Sequence, residues 1–340
     1  MNHLFIVTHT DLDGVGSAAV YLRLSGVEEG FATIVYAEPY NLDEVLDNLQ
    51  DNVDSGDRLV IADLGPNKAV FERVVEIVSS LSRKGVEVEW YDHHVWEPSE
   101  VDALSKAGVR IHVDRSTCAT GVVARYYPEE HEAKADDVTE RIVSAVCAAD
   151  LWRWDDPLAP KLFRVAGNRH ETEWKTRLAF KLAKGVLWDE EMAERLEDYV
   201  NKELAGMDAT LRRVVVMGSA GSCRVAATIK EEGPPSNSII GALLLSRYNA
   251  DIAVIIRPNG AISLRSRRVN VQILAKELGG GGHPRAAGAR VKIGLLTRLL
   301  SLFYPKALPR RVASLIVAKA SSLGICRSLQ GSTITSGSLG

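Results

Sequence analysis

Apolar residues in the first half of the chain follow two alternating periods. Short β-branched and apolar runs at Leu4–Thr8, Ala32–Ala37, Leu59–Asp63, Val86–Asp92 and Val109–Val113 read as strands. Between them, apolar residues recur every three or four positions over Gly16–Leu24, Leu42–Leu49, Ala69–Arg83 and a segment from about Thr117, which reads as helix. Strands separated by helices indicate crossover units, and crossovers build a parallel sheet with helices on both faces. Asp136 to about Trp154 and then Leu158–Lys184 read as mostly helical and flank that sheet. Trp188–Leu211 is strongly charged, with Met192, Leu196 and Tyr199 at helical spacing, and reads as a helical connector.

The pattern changes near Arg212. Arg224–Ile229 is a predicted strand, and Ser236 is placed to cap a helix running to Tyr248. Ile252–Pro258 and Ala261–Arg267 flank Asn259-Gly260, the strongest short signal for a hairpin turn. Asn270–Leu278 follows as a short helix, then Gly279-Gly280-Gly281-Gly282-His283-Pro284. Beyond about Pro305 the pattern weakens, and Ser328–Gly340 has the composition of a disordered tail. The expected fold is α/β. It has a parallel-sheet domain over 1–187, a helical linker over 188–211, a smaller α/β domain over 212–305 and a partly disordered extension over 306–340.

Composition narrows the class. A chain of 340 residues with 46% hydrophobic and 25% charged residues is that of an ordinary folded protein of two domains. A net charge of −3 argues against a protein that coats duplex nucleic acid, leaving room for a local basic groove. Cys118, Cys147, Cys223 and Cys326 are scattered, without CxxC, and Cys118 and Cys147, in helical-looking segments, read as small core residues in a reducing compartment. The longest apolar run, Ile239–Leu245, is far too short to span a membrane, and the N-terminus lacks a leader pattern. The expected location is cytoplasmic, with no membrane partner; a homodimer stays open.

The candidate chemistry lies at three strand ends. Leu4–Thr8 runs into His9-Thr10-Asp11-Leu12-Asp13-Gly14, Arg58–Ala62 into Asp63, and Val88–Tyr91 into Asp92-His93-His94. In an open α/β sheet, ligands bind just outside the carboxyl ends of the strands. Carboxylates and imidazoles crowded there require cations, because like charges raise one another's pKa and unpaired buried charge is costly. His9, Asp11 and Asp13 alternate, so extended backbone aims them to one side, although an Asx turn at a helix start uses the same residue types. Adjacent His93 and His94 point to opposite sides and therefore cannot share one role. Asp150 ends the apolar run Ile142–Ala149, where a solvated carboxylate is the plainer reading. Trp152 and Trp154 suit either core packing or stacking on a base.

Taken in order, His9-Thr10-Asp11-Leu12-Asp13-Gly14, Asp63, Asp92-His93-His94 and Asp150 resemble the DHH phosphoesterase superfamily. Ser263-Leu264-Arg265-Ser266, Asn270-Val271 and Gly279–Gly288 resemble its DHHA1 domain, so the likeness covers roughly residues 3–292. His9 precedes Asp11 by two residues, as in RecJ-like members. The pyrophosphatase-like branch has its histidine four before, where this chain has Val7. The resemblance implies two Mn²⁺, with Mg²⁺ or Co²⁺ as substitutes, and His9, Asp11, Asp13, Asp63, His93 and Asp150 as ligands. Asp63 would bridge the ions, Asp92 would orient His93, and His94 would meet the substrate phosphate. Arg265, Gly280, Gly281, Gly282 and His283, with Arg268 as a further candidate, would grip the nucleotide.

Two divalent ions about 3.5–4 Å apart suit in-line displacement at phosphorus. The expected activity is hydrolysis of phosphodiester or phosphomonoester bonds in small nucleotides: short single-stranded oligonucleotides, linear or cyclic dinucleotides, or nucleoside 3′,5′-bisphosphates. The rivals are a RecJ-like single-strand exonuclease, for which no long basic channel is visible, and a non-catalytic replisome-associated relative, which would have lost its ligands.

Overall fold

The computed structural model describes residues 2–168, 170–218 and 223–326. The chain divides into two compact units, Met1–Glu197 and Asp198–Gly340. The tail expected from Ser328 lies outside the described residues.

The first unit is built on five strands: β1 (Leu4–His9), β2 (Ala32–Ala37), β3 (Arg58–Ala62), β4 (Glu87–Asp92) and β5 (Val109–Val113). They pair in the order β2-β1-β3-β4-β5, every pair parallel. Alternate side chains of one strand serve opposite cores. Leu4 and Ile6 join the core beneath α1 (Leu12–Ser25), whereas Phe5 and Val7 join the one beneath α2 (Leu42–Leu49). The second core is completed by α3 (Phe71–Lys84) and α4 (Pro98–Lys106), the first by α5 (Ala119–His131), α6 (Asp137–Asp150), α7 (Ala159–Val165) and α8 (Thr172–Ala183). The sheet is therefore covered on both faces. Helix α4 was not anticipated; Glu97 and Glu100 form a capping box around Pro98 at its start. The stretch Leu158–Lys184 also breaks in two, with Gly167 at φ +73° between α7 and α8.

Helix α9 (Glu190–Leu211) runs across the boundary between the units in sequence. The second unit has a six-stranded sheet of β6 (Val215–Met217), β7 (Val225–Ile229), β8 (Ile252–Ile256), β9 (Ala261–Arg265), β10 (Gly281–Gly282) and β11 (Ala286–Arg290), in the order β10-β11-β9-β8-β7-β6. Only β7–β8 is parallel among these pairs. Helix α10 (Asn237–Arg247), capped by Ser236 through Ile239 N, covers one face, while α11 (Val271–Glu277) packs on the other. Helix α12 (Leu295–Phe303) is followed by α13 (Ala307–Ser322).

Two expectations need correction here. Residues 307–322 are not a loose extension: Leu308, Val312, Ala313, Ile316 and Ala320 recur at helical spacing and are buried with β7 and β8 residues in one core. The cysteines are not free thiols either, since Cys118 pairs with Cys147 and Cys223 with Cys326. The pairing removes the argument for a reducing compartment.

Candidate metal centre

In a parallel sheet of order 2-1-3-4-5, the order of strand addition reverses between β1 and β3, and the crevice beyond that point is where ligands sit. His9, Asp11 and Asp13 leave β1 there, and Asp63 leaves β3. Asp11 caps α1, its Oδ1 accepting from the Asp13 and Gly14 amides at 3.0 and 3.1 Å. Position 14 has to be glycine, because a Cβ there would lie 2.2 Å from the His9 carbonyl oxygen. Thr8 ties the turn to β3, its hydroxyl lying 2.9 Å from Gly14 O and 3.1 Å from Ala62 O.

Asp13 is buried, and its position is set from far along the chain. Oδ2 accepts from Ala119 N at 2.8 Å and Oδ1 from Thr120 N at 2.9 Å, with the Thr120 hydroxyl 2.7 Å from Oδ1. The carboxylate thus sits on the amino end of α5, where free amides favour negative charge.

Asp63 stands in the left-handed region at φ +57°, a conformation that Asp tolerates better than most residues. Its buried Oδ2 has no hydrogen-bond partner among the described residues, although His9 Nδ1 lies 3.5 Å away. An orphaned buried carboxylate oxygen is costly unless a cation meets it.

His93 Nε2 lies 3.6 Å from Asp63 Oδ1 and 3.7 Å from both Asp13 Oδ2 and Asp150 Oδ2. His9 Nδ1 lies 3.0 Å from Asp11 Oδ2. Three groups each offer ligand atoms within 4.8 Å of one another: His9, Asp11 and Asp63; Asp13, His93 and Asp150; and Asp63, His93 and His94. Asp63 and His93 each recur in two groups, which fits a pair of cations sharing a central carboxylate. Hard oxygens with imidazole suit Mn²⁺ or Mg²⁺.

The electrostatics show what a cation relieves. Burial, then the charges of Asp63 and Asp150, push Asp13 well above the usual carboxylate range. Burial, then Asp11 and Asp63, raise Asp150 to about 7. Burial opposes a charged His93, but the hydrogen bond to Asp63 and the charges of Asp13, Asp63 and Asp150 outweigh it, giving about 10. His9 is likewise raised, burial being overcome chiefly by Asp11. Desolvation opposes an ionised Asp11, yet His9 and the Gly14 amide hold it below the usual range. Without metal, a proton on His93 takes the place of a cation among the acids.

Asp92 departs from expectation. Its Oδ1 lies 2.7 Å from His94 Nδ1 and its Oδ2 accepts from Trp96 Nε1 at 2.6 Å, so it orients His94 and not His93. β4 ends at Asp92, so His93 and His94 lie past the extended strand, and their rings meet at 4.7 Å and do not point to opposite sides as expected. Despite burial, those hydrogen bonds keep Asp92 below the usual range. Burial likewise disfavours charge on His94, but Asp92 raises it to about 9, leaving the ring cationic at neutral pH. Gly65 packs against His94, whose Cβ would lie 2.8 Å from a Cβ at that position.

Sequence reasoning missed Glu38, directly after β2. Its Oε1 accepts from the Thr10 hydroxyl at 2.6 Å and its Oε2 lies 3.4 Å from His9 Nε2. The strand-end rule applied to β2 would have found it. Of the two tryptophans, Trp154 packs against the first core and Phe163, while Trp152 is 40% exposed.

The remaining candidates lie in the second unit. Gly279 and Gly280 form a helix stop, their amides donating to Lys276 O and Ala275 O. A Cβ on Gly280 would lie 2.0 Å from Gly288 O, and Gly282 has φ +125° with Ala287 Cα 2.7 Å from its Cβ position. These glycines let β10 lie against β11; at Gly281 a Cβ would meet nothing within 4 Å. His283 opens the turn into β11, and its amide donates to Ala286 O at 2.7 Å. Arg265 is partly buried, and burial lowers its pKa. It donates to Leu264 O and the Ser238 hydroxyl and forms no ion pair among the described residues.

A profile described as the DHH family, N-terminal domain, matches residues 3–149, and one described as the DHHA1 domain matches 225–304. Among solved structures, a pGpG-specific phosphodiesterase, PggH from Vibrio cholerae, is similar with a TM-score of 0.55 and 14% identity, over 90% of this chain and 99% of that one. RecJ from Thermus thermophilus, in complex with Mn²⁺, is similar with a TM-score of 0.57 and 16% identity, over 94% of this chain and 52% of that one. An exopolyphosphatase-related protein from Bacteroides fragilis gives 0.52 and 15%, over 93% of each chain. No curated protein matches.

Proposed function

We propose, for a chain that belongs to the DHH superfamily through both of its domains, that it is a metal-dependent phosphoesterase acting on small nucleotides. The substrates are short oligonucleotides, linear or cyclic dinucleotides, or nucleoside 3′,5′-bisphosphates. The observation that carries the reading is the unpartnered Oδ2 of buried Asp63, placed among acids and imidazoles drawn from the ends of β1, β3 and β4. His9, Asp11 and Asp63 would hold one ion, with Asp13, His93 and Asp150 holding the other beside Asp63. Mn²⁺ is the ion of choice, on the chemistry of the ligands and on the Mn²⁺ named with the RecJ neighbour. Bound there, the ions supply a nucleophile at neutral pH and charge stabilisation at phosphorus.

The chain's own residues do the rest. Asp92 holds His94 cationic and in one orientation, which suits contact with a phosphate oxygen. Asp13, fixed by the first amides of α5, keeps its side of the centre rigid. In the second unit, Arg265 has no carboxylate partner among the described residues and would donate to a substrate phosphate, with His283 as a further contact. No helix among the described residues is long and apolar enough to cross a membrane.

The test supplies Mn²⁺ and, in parallel, a dinucleotide, a nucleoside bisphosphate and a labelled 20-mer. The dinucleotide or the bisphosphate should be hydrolysed fastest, and Asp63→Ala should abolish turnover. Hydrolysis of nothing with any divalent ion, or near-normal turnover by Asp63→Ala, would overturn the reading. Faster attack on the 20-mer would transfer it to a single-strand nuclease.

A further inference from the structure

The net charge of −3 averages two very different segments. From Leu278 to Gly340 the sequence has nine lysines and arginines and no aspartate or glutamate, so all 44 acids lie before it, against 32 basic residues there. Such a split is a property of surface and partner, not of fold.

The structure gathers part of this charge into a groove within the second unit. It has a volume of about 1170 Å³, and its basic lining is Arg212, Lys292, Lys306, Arg310 and Arg311, with no acid among the lining residues. Arg212 is paired to Asp208 one helical turn away. Lys292, Lys306, Arg310 and Arg311 are exposed and form no ion pair among the described residues. Leu300, Tyr304 and Leu315 supply apolar lining, and Tyr304 is 66% exposed, next to Phe303 at 79%. Large side chains left in water beside unpaired cations are unusual for a surface without a partner. Three of the four unpaired cations, with the whole α13 wall, lie beyond residue 304, where the DHHA1 match ends.

We propose that this groove binds a single strand of nucleic acid, its phosphates on Lys292, Lys306, Arg310 and Arg311 and a base on Tyr304. Charge complementarity selects a polyanion. The exposed aromatic ring selects one whose bases are unstacked, since any base offers a π-face to a ring. A small phosphate ligand would need neither four cations nor an aromatic platform. The groove is separate from the metal centre in sequence and in composition, so the proposal stands whether or not that centre is catalytic.

The test is fluorescence anisotropy of a labelled single-stranded 20-mer with the full chain in EDTA, over a range of salt. Four phosphate contacts predict a slope of log K against log salt of roughly −2.8. Lys306→Ala/Arg310→Ala/Arg311→Ala should flatten that slope by about 2. Tyr304→Ala should weaken binding by about 5- to 150-fold with little change in slope, and Tyr304→Phe should restore it. Melting temperatures of the variants, compared with the native chain, show that each is folded. Absence of binding at low salt, a slope unchanged in the triple variant, or equal affinity for a 20-bp duplex would overturn the proposal. So would binding to phosphatidylglycerol vesicles without binding to the 20-mer. Failure here leaves Mn²⁺-dependent hydrolysis untouched, which keeps the two readings distinguishable.

Discussion

Removing the Cys118–Cys147 link should weaken the first unit measurably and loosen one side of the metal centre. The two cysteines are 29 residues apart and both buried. The chain-entropy relation for a loop of that length gives about 3.6 kcal/mol of stabilisation at 25 °C. A unit of this size shifts its melting temperature by roughly 2–4 °C per kcal/mol, so the loss corresponds to about 7–14 °C. Cys118 is the residue before α5, whose first two amides hold Asp13, and Cys147 lies on α6, whose last residue is Asp150. Cys118→Ala/Cys147→Ala should therefore also lower Mn²⁺ affinity. Cys223→Ala/Cys326→Ala, confined to the second unit, should lower stability and leave that affinity alone. Calorimetric melting with and without EDTA, and Mn²⁺ titration of each variant, read the two effects separately. Titration of four free thiols in the native protein, or a Cys118→Ala/Cys147→Ala melt equal to that of the native chain, would refute the reasoning.

Mn²⁺ binding should release protons. Neutral imidazole is the metal ligand, and His93, with a pKa of about 10, is charged at pH 7, while the pKa of His9 is raised beside Asp11. Apparent affinity should therefore rise with pH up to that range, about tenfold per unit for each proton displaced, and calorimetry in two buffers should count them; a buffer-independent enthalpy contradicts this. Gly280→Ala should destabilise by about 1–3 kcal/mol or more through its clash with β11, whereas Gly281→Ala should change stability by less than about 0.5 kcal/mol. Thermal melts that rank the two variants the other way would contradict the packing argument.

The parallel sheet was legible because a fully covered sheet imposes continuous apolar runs, and those runs end at recognisable turns. His9, Asp11, Asp13, Asp63 and His93 could be placed together for the same reason: all sit at or just past the carboxyl ends of strands in one sheet. Asp92 was assigned to the wrong histidine because His93 and His94 lie past the end of β4, where strand periodicity no longer sets which way a side chain points. Glu38 was overlooked after β2, where the same rule applied. The partners of Asp13 were beyond reach, since nothing local connects it to Ala119 and Thr120, which follow it by more than a hundred residues. Cysteine pairing also needs distances that spacing does not supply. Helix α13 was missed because alanine, serine and lysine dilute its apolar stripe. The basic run after Glu277 was hidden by averaging charge over the whole chain.

The placement of Asp13 bears on how far such a centre can be reduced or transplanted. A fragment ending after β4 would keep the sequence of His9, Asp11, Asp13, Asp63, His93 and His94, and would look complete as a string of motifs. It would lack the amides of α5, so Asp13 would be free to turn towards water, and it would lack Asp150. Grafting the three strand ends onto another parallel sheet would meet the same difficulty unless a helix start were placed behind the second aspartate. The smallest portable version of this centre is thus a set of four strands and two later helices, and its inheritance is that of a whole domain.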